Sequence, residues 1–135
     1  MKILILFSKL AILLIVGCAS SLPRVKDITE LAPPRNVQAV SDQGIIRISW
    51  DASSDESKPH FDGYNIYCSN KSLILVSIKH LPPPVIVDKN QHQIELQDLD
   101  RSSRYFVHVR SRDKNGDLSF PSLPEVVIQP ANSSF

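Results

Sequence analysis

The chain lacks the features that would mark an enzyme, a metalloprotein or a nucleic-acid-binding protein. Its 135 residues include only four glycines, two cysteines and one tryptophan. It has no Gly-x-Ser-x-Gly nucleophile motif, and its four histidines follow no metal-ligand spacing. Basic and acidic residues number 15 and 14, and no block of like charge stands out. Because nucleic-acid binding usually requires a strongly basic face, that class of partner is disfavoured.

A hydrophobic run long enough to cross a membrane is also missing. Lys9 divides the N-terminal apolar region, so the uncharged part covers only residues 10–17. A membrane-spanning helix needs roughly 20 apolar residues. A positively charged start, a short apolar stretch and small residues at its end are instead typical of an export signal.

The end of this apolar stretch resembles the bacterial lipobox, with the residues Ile15-Val16-Gly17-Cys18. In lipoproteins the lipobox cysteine is lipidated and becomes the mature N-terminus. The resemblance implies a lipoprotein signal peptide over residues 1–17, palmitate-type acylation at Cys18 and anchoring in the bacterial cell envelope. Ala19 favours the outer membrane, by resemblance to enterobacterial sorting. The alternative is ordinary signal peptidase cleavage near Gly17, which would release a soluble protein.

The second cysteine, Cys68, is unpaired if Cys18 carries lipid. An odd cysteine in an exported protein is either a reactive thiol or an inert core residue. Alternation places Cys68 on the same strand face as Tyr64 and Ile66, which favours the inert, buried thiol. A Cys18–Cys68 disulfide stays open only if the lipidation is wrong.

Ten prolines and short alternating apolar runs predict an all-β domain over residues 34–130. Residues 18–33 are interpreted as the lipidated N-terminus and a tether, and residues 131–135 as a C-terminal tail. Three consecutive prolines at 82–84 are expected to interrupt any strand ladder. The predicted strands cover residues 36–40, 45–50, 63–68, 73–78, 93–96, 104–112 and 124–129.

A series of short motifs in the predicted domain resembles a fibronectin type III domain. In chain order they are Pro34-x-x-Val37, Ile48-Ser49-Trp50, Gly63-Tyr64-x-Ile66-Tyr67, Tyr105-x-Val107-x-Val109, Asp113-x-Asn115-Gly116 and Ser119-Phe120-Pro121-Ser122. Leu99, six residues before Tyr105, matches the tyrosine corner, in which the ring hydroxyl returns to upstream backbone. An antibody-like domain would need a cysteine pair between its sheets and a tryptophan in the third strand.

The resemblance implies a seven-stranded antiparallel β-sandwich of the immunoglobulin-like class. It also implies which side chains fill the space between the two sheets. The predicted core residues are Trp50, Tyr64, Ile66, Leu99, Tyr105 and Val107.

Charged and titratable residues in two loops raise the question of a metal site. Acids concentrate after the tryptophan, at Asp51, Asp55, Glu56 and Asp62. Calcium needs six to eight oxygen ligands in a defined array, so a solvated acidic loop is favoured over a calcium site. His80 and His92 flank the prolines, and solvated histidines are favoured there over a zinc site. No metal or other cofactor is therefore expected.

The outer face of the sheet offers a candidate contact surface. Alternation, together with the neighbouring position of the third and sixth strands in the family, predicts an outward-facing patch of Tyr67, Phe106, His108 and Arg110. Aromatic residues and arginine are favoured at interface cores, and the alternative is ordinary surface exposure. The proline-rich residues 81–87 are interpreted as a docking rod or, preferentially, as a blunted sheet edge.

Together these features predict a non-catalytic, lipid-anchored envelope protein that binds another envelope or surface protein. One alternative is a surface adhesin for host matrix or glycan, although the chain contains no Arg-Gly-Asp motif. A less favoured alternative is a small accessory enzyme. That alternative would require a pocket that joins a histidine, an acid and a serine.

Overall fold

Two antiparallel sheets pack face to face in the computed structural model, which describes residues 31–130. The predicted signal peptide, Cys18, most of the tether and the C-terminal tail lie outside these residues. The described strands are β1 (Arg35–Asp42), β2 (Ile45–Asp51), β3 (Phe61–Ser69), β4 (Val85–Asp88), β5 (Gln93–Leu96), β6 (Tyr105–Asp113) and β7 (Val126–Ile128). One sheet has the order β1-β2-β5 and the other β4-β3-β6-β7, which confirms the predicted seven-stranded sandwich.

The core between the sheets follows from alternation along each strand. In β2, Ile46, Ile48 and Trp50 are buried, whereas Arg47 is exposed on the opposite face. The Trp50 ring meets the Tyr64 ring edge-on, with 5.5 Å between the centroids. Such aromatic pairs contribute about 0.5–1.5 kcal/mol beyond the area that they bury.

The other predicted core residues lie in or beside the same cluster. Ile66 and Val107 are buried in it, and Leu99 and Tyr105 are partly buried against it. The Tyr105 hydroxyl accepts a hydrogen bond from the Asp100 backbone N–H at 2.9 Å. This bond is the return of the ring hydroxyl to upstream backbone that the tyrosine corner implies.

The fourth strand does not lie where the sequence predicts it. Residues 73–77 form no strand and include a turn at 74–75, and a 3₁₀ helix covers Ile78–His80. Strand β4 instead follows the three prolines and pairs with β3, with Ile66 opposite Val85 and Gly63 opposite Asp88. The prolines precede the strand and remove no N–H from its ladder, and an edge strand tolerates them there.

The prediction of a solvated acidic loop is wrong for two of its acids. Asp55 is buried, accepts a hydrogen bond from the Ala32 N–H at 2.8 Å and forms an ion pair with Lys58 at 2.8 Å. Glu56 accepts hydrogen bonds from the Tyr64 hydroxyl and, at 2.8 Å, from His92 Nε2. Carboxylates withdrawn from water need such partners. Here Asp55 joins the loop to Ala32 at the start of the domain, and Glu56 joins it to Tyr64 and His92.

These bonds shift the pKa of both carboxyl groups. The hydrogen bond from Lys58 is the main cause that holds the pKa of Asp55 below its ordinary value of 3.8. Burial by itself raises the pKa of Glu56, but the bonds from Tyr64 and His92 outweigh it and lower that pKa below 4.5. Each group therefore stabilises the fold above its unfolded-state pKa, and this stability is lost as pH falls through the lower folded-state pKa.

We expect Asp55→Asn to lower the free energy of unfolding at pH 7 by about 1–3 kcal/mol, because it leaves a buried site with a weaker acceptor. The variant should also lose less stability than the parent between about pH 5 and pH 3. Urea denaturation at each pH measures both effects. Asp88→Asn, at an exposed carboxyl group, is the control, and an equal loss in both variants would contradict the structural role of Asp55.

Candidate interaction site on the outer sheet

Three of the four residues predicted to form an exposed patch are buried. Tyr67, His108 and Arg110 are 3%, 0% and 4% exposed, and Phe106 is half-buried. Tyr67 and His108 face each other across β3 and β6 and lie outside the core between the sheets, so their outward direction agrees with the alternation. Their predicted exposure is wrong, because another part of the chain covers this face.

The covering segment, here called the flap, consists of residues 70–81. Its Leu73 side chain is buried and packs with Tyr67 and Leu118 in a second hydrophobic cluster. Glu125, just before β7, accepts hydrogen bonds from the Ser72 hydroxyl at 2.6 Å and from the Leu73 N–H at 2.8 Å. The flap is therefore held on the sheet by the buried Leu73, by the partly buried Val76 and Leu81 in the same cluster, and by the Glu125 carboxylate.

Polar side chains on the outer face form a row across β3 and β6. Arg112 donates hydrogen bonds to Asp62 at 2.8 Å and to the Asn65 amide oxygen at 2.6 Å. Asn65 in turn donates to the Tyr67 hydroxyl at 3.2 Å. The Tyr67 ring meets the His108 ring edge-on at 5.3 Å. The charge of Arg112 is thus matched by Asp62 inside the domain.

Arg110 differs, because no carboxylate of residues 31–130 pairs with it. Its Nη1 donates to the Ser119 carbonyl at 2.8 Å, and its Nε donates to His108 Nε2 at a long 3.4 Å. Burial lowers the pKa of Arg110, against a smaller opposing effect of Tyr67. The guanidinium is therefore a buried cation with two neutral acceptors.

His108 supplies no compensating charge to Arg110. Burial, with a further contribution from the positive charge of Arg110, lowers the pKa of His108 to about 4. The imidazole is neutral at pH 7, and its Nε2 accepts from Arg110, so the proton is assigned to Nδ1. Within the described residues Nδ1 is buried without a hydrogen-bond partner.

An open groove of about 590 Å³ lies between the flap and the segment after β6. Its apolar lining comes from Ile74, Leu75, Val76, Ile78, Phe120 and Pro121, and Arg110, Ser77 and Lys79 also line it. Leu75 is 94% exposed and Phe120 is 51% exposed. We call this feature the flap groove. Exposed apolar surface of this kind marks contact sites for proteins or other ligands.

Catalytic chemistry has little support in the described part of the chain. Glu56 and His92 form an acid–histidine pair, and Ser53 lies three residues before Glu56. The Ser53 hydroxyl, however, donates to the Ala32 carbonyl at 2.6 Å. Among residues 31–130 no three His, Cys, Asp or Glu side chains are placed to hold a metal ion. His80 bonds to Ser77 through Nδ1 at 2.8 Å, while His92 bonds to Glu56.

Cys68 is a free thiol at the edge of the inner core. Burial raises the pKa of Cys68 to about 11. At neutral pH the group is therefore a protonated thiol rather than the nucleophilic thiolate. This geometry supports a packing role and not a redox role.

The two sheets, their strand order and the tyrosine corner define an immunoglobulin-like β-sandwich without a disulfide in its described residues. Residues 32–128 match the family model of the fibronectin type III domain. The chain belongs to this family. Fibronectin type III domains fit a role in protein interaction, and the fold is typically non-catalytic.

Solved structures agree with this family at the level of the fold. The third fibronectin III domain of the human KIAA0343 protein is 21% identical, with a TM-score of 0.61, and 88% of this chain and 97% of that one are covered. The fn3 domain of the human collagen alpha-1(XX) chain is 20% identical (TM-score 0.54; 77% and 89% covered). An Fn3-like protein from Clostridium thermocellum is 20% identical (TM-score 0.51; 78% and 98% covered). No curated protein matches the chain.

Sequence reasoning missed the apolar lining of the flap groove. It assigned Leu75 and Ile78 to a strand because a short apolar run is ambiguous between a strand and a packed loop. One feature of the sequence argued against a strand here. The run from Leu73 to Val76 does not alternate with polar residues, and the three prolines follow soon after. An edge strand with one solvated face would alternate.

The flap contacts predict the effect of Glu125→Ala. Loss of the two hydrogen bonds to Ser72 and Leu73 should loosen residues 70–81, so that trypsin cuts after Lys71 and Lys79 several-fold faster than in the parent. Limited proteolysis with mass spectrometry measures the cleavage rates. Glu95→Ala, which removes an exposed pair with Arg47 on the other sheet, is the control. Equal cleavage in both variants would show that Glu125 does not hold the flap.

Proposed function

We propose that this chain is a non-catalytic lipoprotein of the bacterial cell envelope whose single fibronectin type III domain binds another envelope or surface protein. The domain assignment and the non-catalytic character of the fold support the general class. The lipobox at Cys18 supports the anchor, and Ala19 supports the outer membrane. The domain limits proposed are a signal peptide over residues 1–17, a tether over 18–33 and a tail over 131–135.

The flap groove is the observation that carries the proposed protein contact. Its volume of about 590 Å³ lies within the range of about 300–1,000 Å³ typical of ligand sites. Its lining is mostly apolar and includes one buried cation, Arg110. A partner segment that covers Leu75 and Phe120 would remove two exposed hydrophobic side chains from water, at about 25 cal/mol per Å².

The proposed mechanism is tethering. Acyl chains on Cys18 would hold the protein at the membrane, since each buried CH₂ contributes about 0.8 kcal/mol. A tether of residues 18–33 would give the domain reach over the membrane surface. Confinement raises the effective concentration of domain and partner, so even a weak contact at the groove becomes useful.

The anchor is tested by replacing Cys18 with Ser. We expect the variant to lose all incorporation of an alkyne-labelled palmitate in cells. Cys68→Ser is the matched control and should incorporate the label as the parent does. Label retained in the Cys18 variant, or lost from the Cys68 variant, would refute the anchor.

The contact surface is tested with a photo-crosslinking amino acid placed at Leu75 in living cells. A discrete adduct with one envelope protein is expected, and Phe120→Ser should reduce its yield several-fold. The control position is Val40, which is also exposed but lies on the other sheet. Adducts of equal yield from both positions would argue against the groove, and an adduct with a host molecule would favour the adhesin alternative.

A further inference from the structure

We propose that Arg110 binds a carboxylate of the partner, so that the flap groove recognises a peptide segment in which apolar side chains flank an acidic group. This inference rests on the proposed function, because it names the chemistry of the segment that the groove would hold. It assigns to Arg110 the role of a specificity-determining residue.

The contrast with Arg112 carries the argument. Both side chains extend from the outer face of β6, and both have little exposure to solvent. Arg112 reaches Asp62, the Asn65 amide oxygen and two backbone carbonyls. Arg110 has one carbonyl and one weakly bonded imidazole. A guanidinium carries five N–H donors, so most of those on Arg110 have no acceptor among residues 31–130.

The groove supplies the opening through which an acceptor would arrive. Arg110 lines it, and its Nη2 donates to neither Ser119 nor His108. Nη2 is not among the fully buried unpartnered atoms of residues 31–130, so it keeps access to solvent. The acid that contacts the flap, Glu125, already accepts hydrogen bonds from Ser72 and Leu73. Lys79 also lines the groove and adds positive charge. A buried charge without a partner is costly, and a carboxylate that binds a guanidinium through two parallel hydrogen bonds removes that cost.

The charge and the lining favour an acidic peptide over a phosphorylated ligand. One guanidinium matches the single charge and planar shape of a carboxylate. A phosphate monoester carries about −1.5 to −2 at pH 7. Lys79 is exposed, so its ammonium is hydrated and screened and matches the second negative charge only weakly. The exposed side chains of Ile78, Leu75 and Phe120 then suit aliphatic or aromatic residues on either side of the acid.

The test begins with a random 12-residue peptide library displayed on phage and selected against the full chain purified in detergent. We expect the selected peptides to share one Asp or Glu between apolar residues. For a synthetic selected peptide, exchange of that acid for its amide should weaken binding to the parent protein at least about tenfold. On Arg110→Gln the acid and amide peptides should bind equally, and Arg110→Lys should recover only part of the difference.

The outcomes separate this inference from the proposed function. If peptides bind and Leu75→Ser abolishes their binding, but the acid-to-amide exchange has no effect, the groove is a contact site and the role of Arg110 is refuted. If Leu75→Ser has no effect, the groove itself is refuted. If phosphatidylglycerol vesicles displace the peptide and phosphatidylcholine vesicles do not, the groove is a lipid site and the inference falls. If Arg110→Gln fails to fold, the acid-to-amide exchange on the parent protein still decides whether the groove recognises a carboxylate. The same exchange on Lys79→Gln then separates the two cations of the groove: a preserved difference supports Arg110, and a lost difference refutes it.

Discussion

Strands β3 and β6 are buried on both faces, and this double burial is the constraint on which the rest of the molecule depends. Their inner faces pack on β1, β2 and β5, as in any sandwich. Part of their outer faces lies under the flap, which Leu73 and Glu125 hold in place. Polar side chains under this cover are shielded from water, and each then needs a hydrogen-bond partner within the protein.

The polar side chains of the outer face differ in how fully they are hydrogen-bonded. Arg112, Asp62 and Asn65 form a closed set in which the donors of the guanidinium have acceptors. Arg110 and His108 do not, because the imidazole is neutral and its Nδ1 is unbonded within residues 31–130. Replacing a fully paired ion pair by apolar residues is often neutral, whereas an unpaired buried charge is unfavourable. Within residues 31–130, Arg110 is a nearly buried cation without a carboxylate partner beside an open apolar groove. This is the observation behind the proposed acidic ligand.

The loop after β2 also contains charged groups that are withdrawn from water, and there their partners stabilise the fold. Asp55 and Glu56 are withdrawn from water too, yet both are matched, by Lys58 and the Ala32 N–H and by Tyr64 and His92. The Tyr64 ring belongs to the hydrophobic core, and its hydroxyl also accepts from the Ser53 N–H at 3.0 Å. One side chain therefore couples the core to the loop and, through Ser53, to the start of the domain.

The amino-acid sequence alone determined the sandwich, because strand alternation and local turn chemistry depend on neighbouring residues. The positions of Trp50, Tyr64 and Tyr105 followed from that periodicity and from the family resemblance. Tertiary structure decided the course of residues 70–81, because an apolar run without alternation fits a strand and a packed flap equally well until its partner surface exists. It also decided the exposure of Arg110, because burial depends on which distant segment packs over a side chain. The local sequence around Arg110 does not indicate that segment.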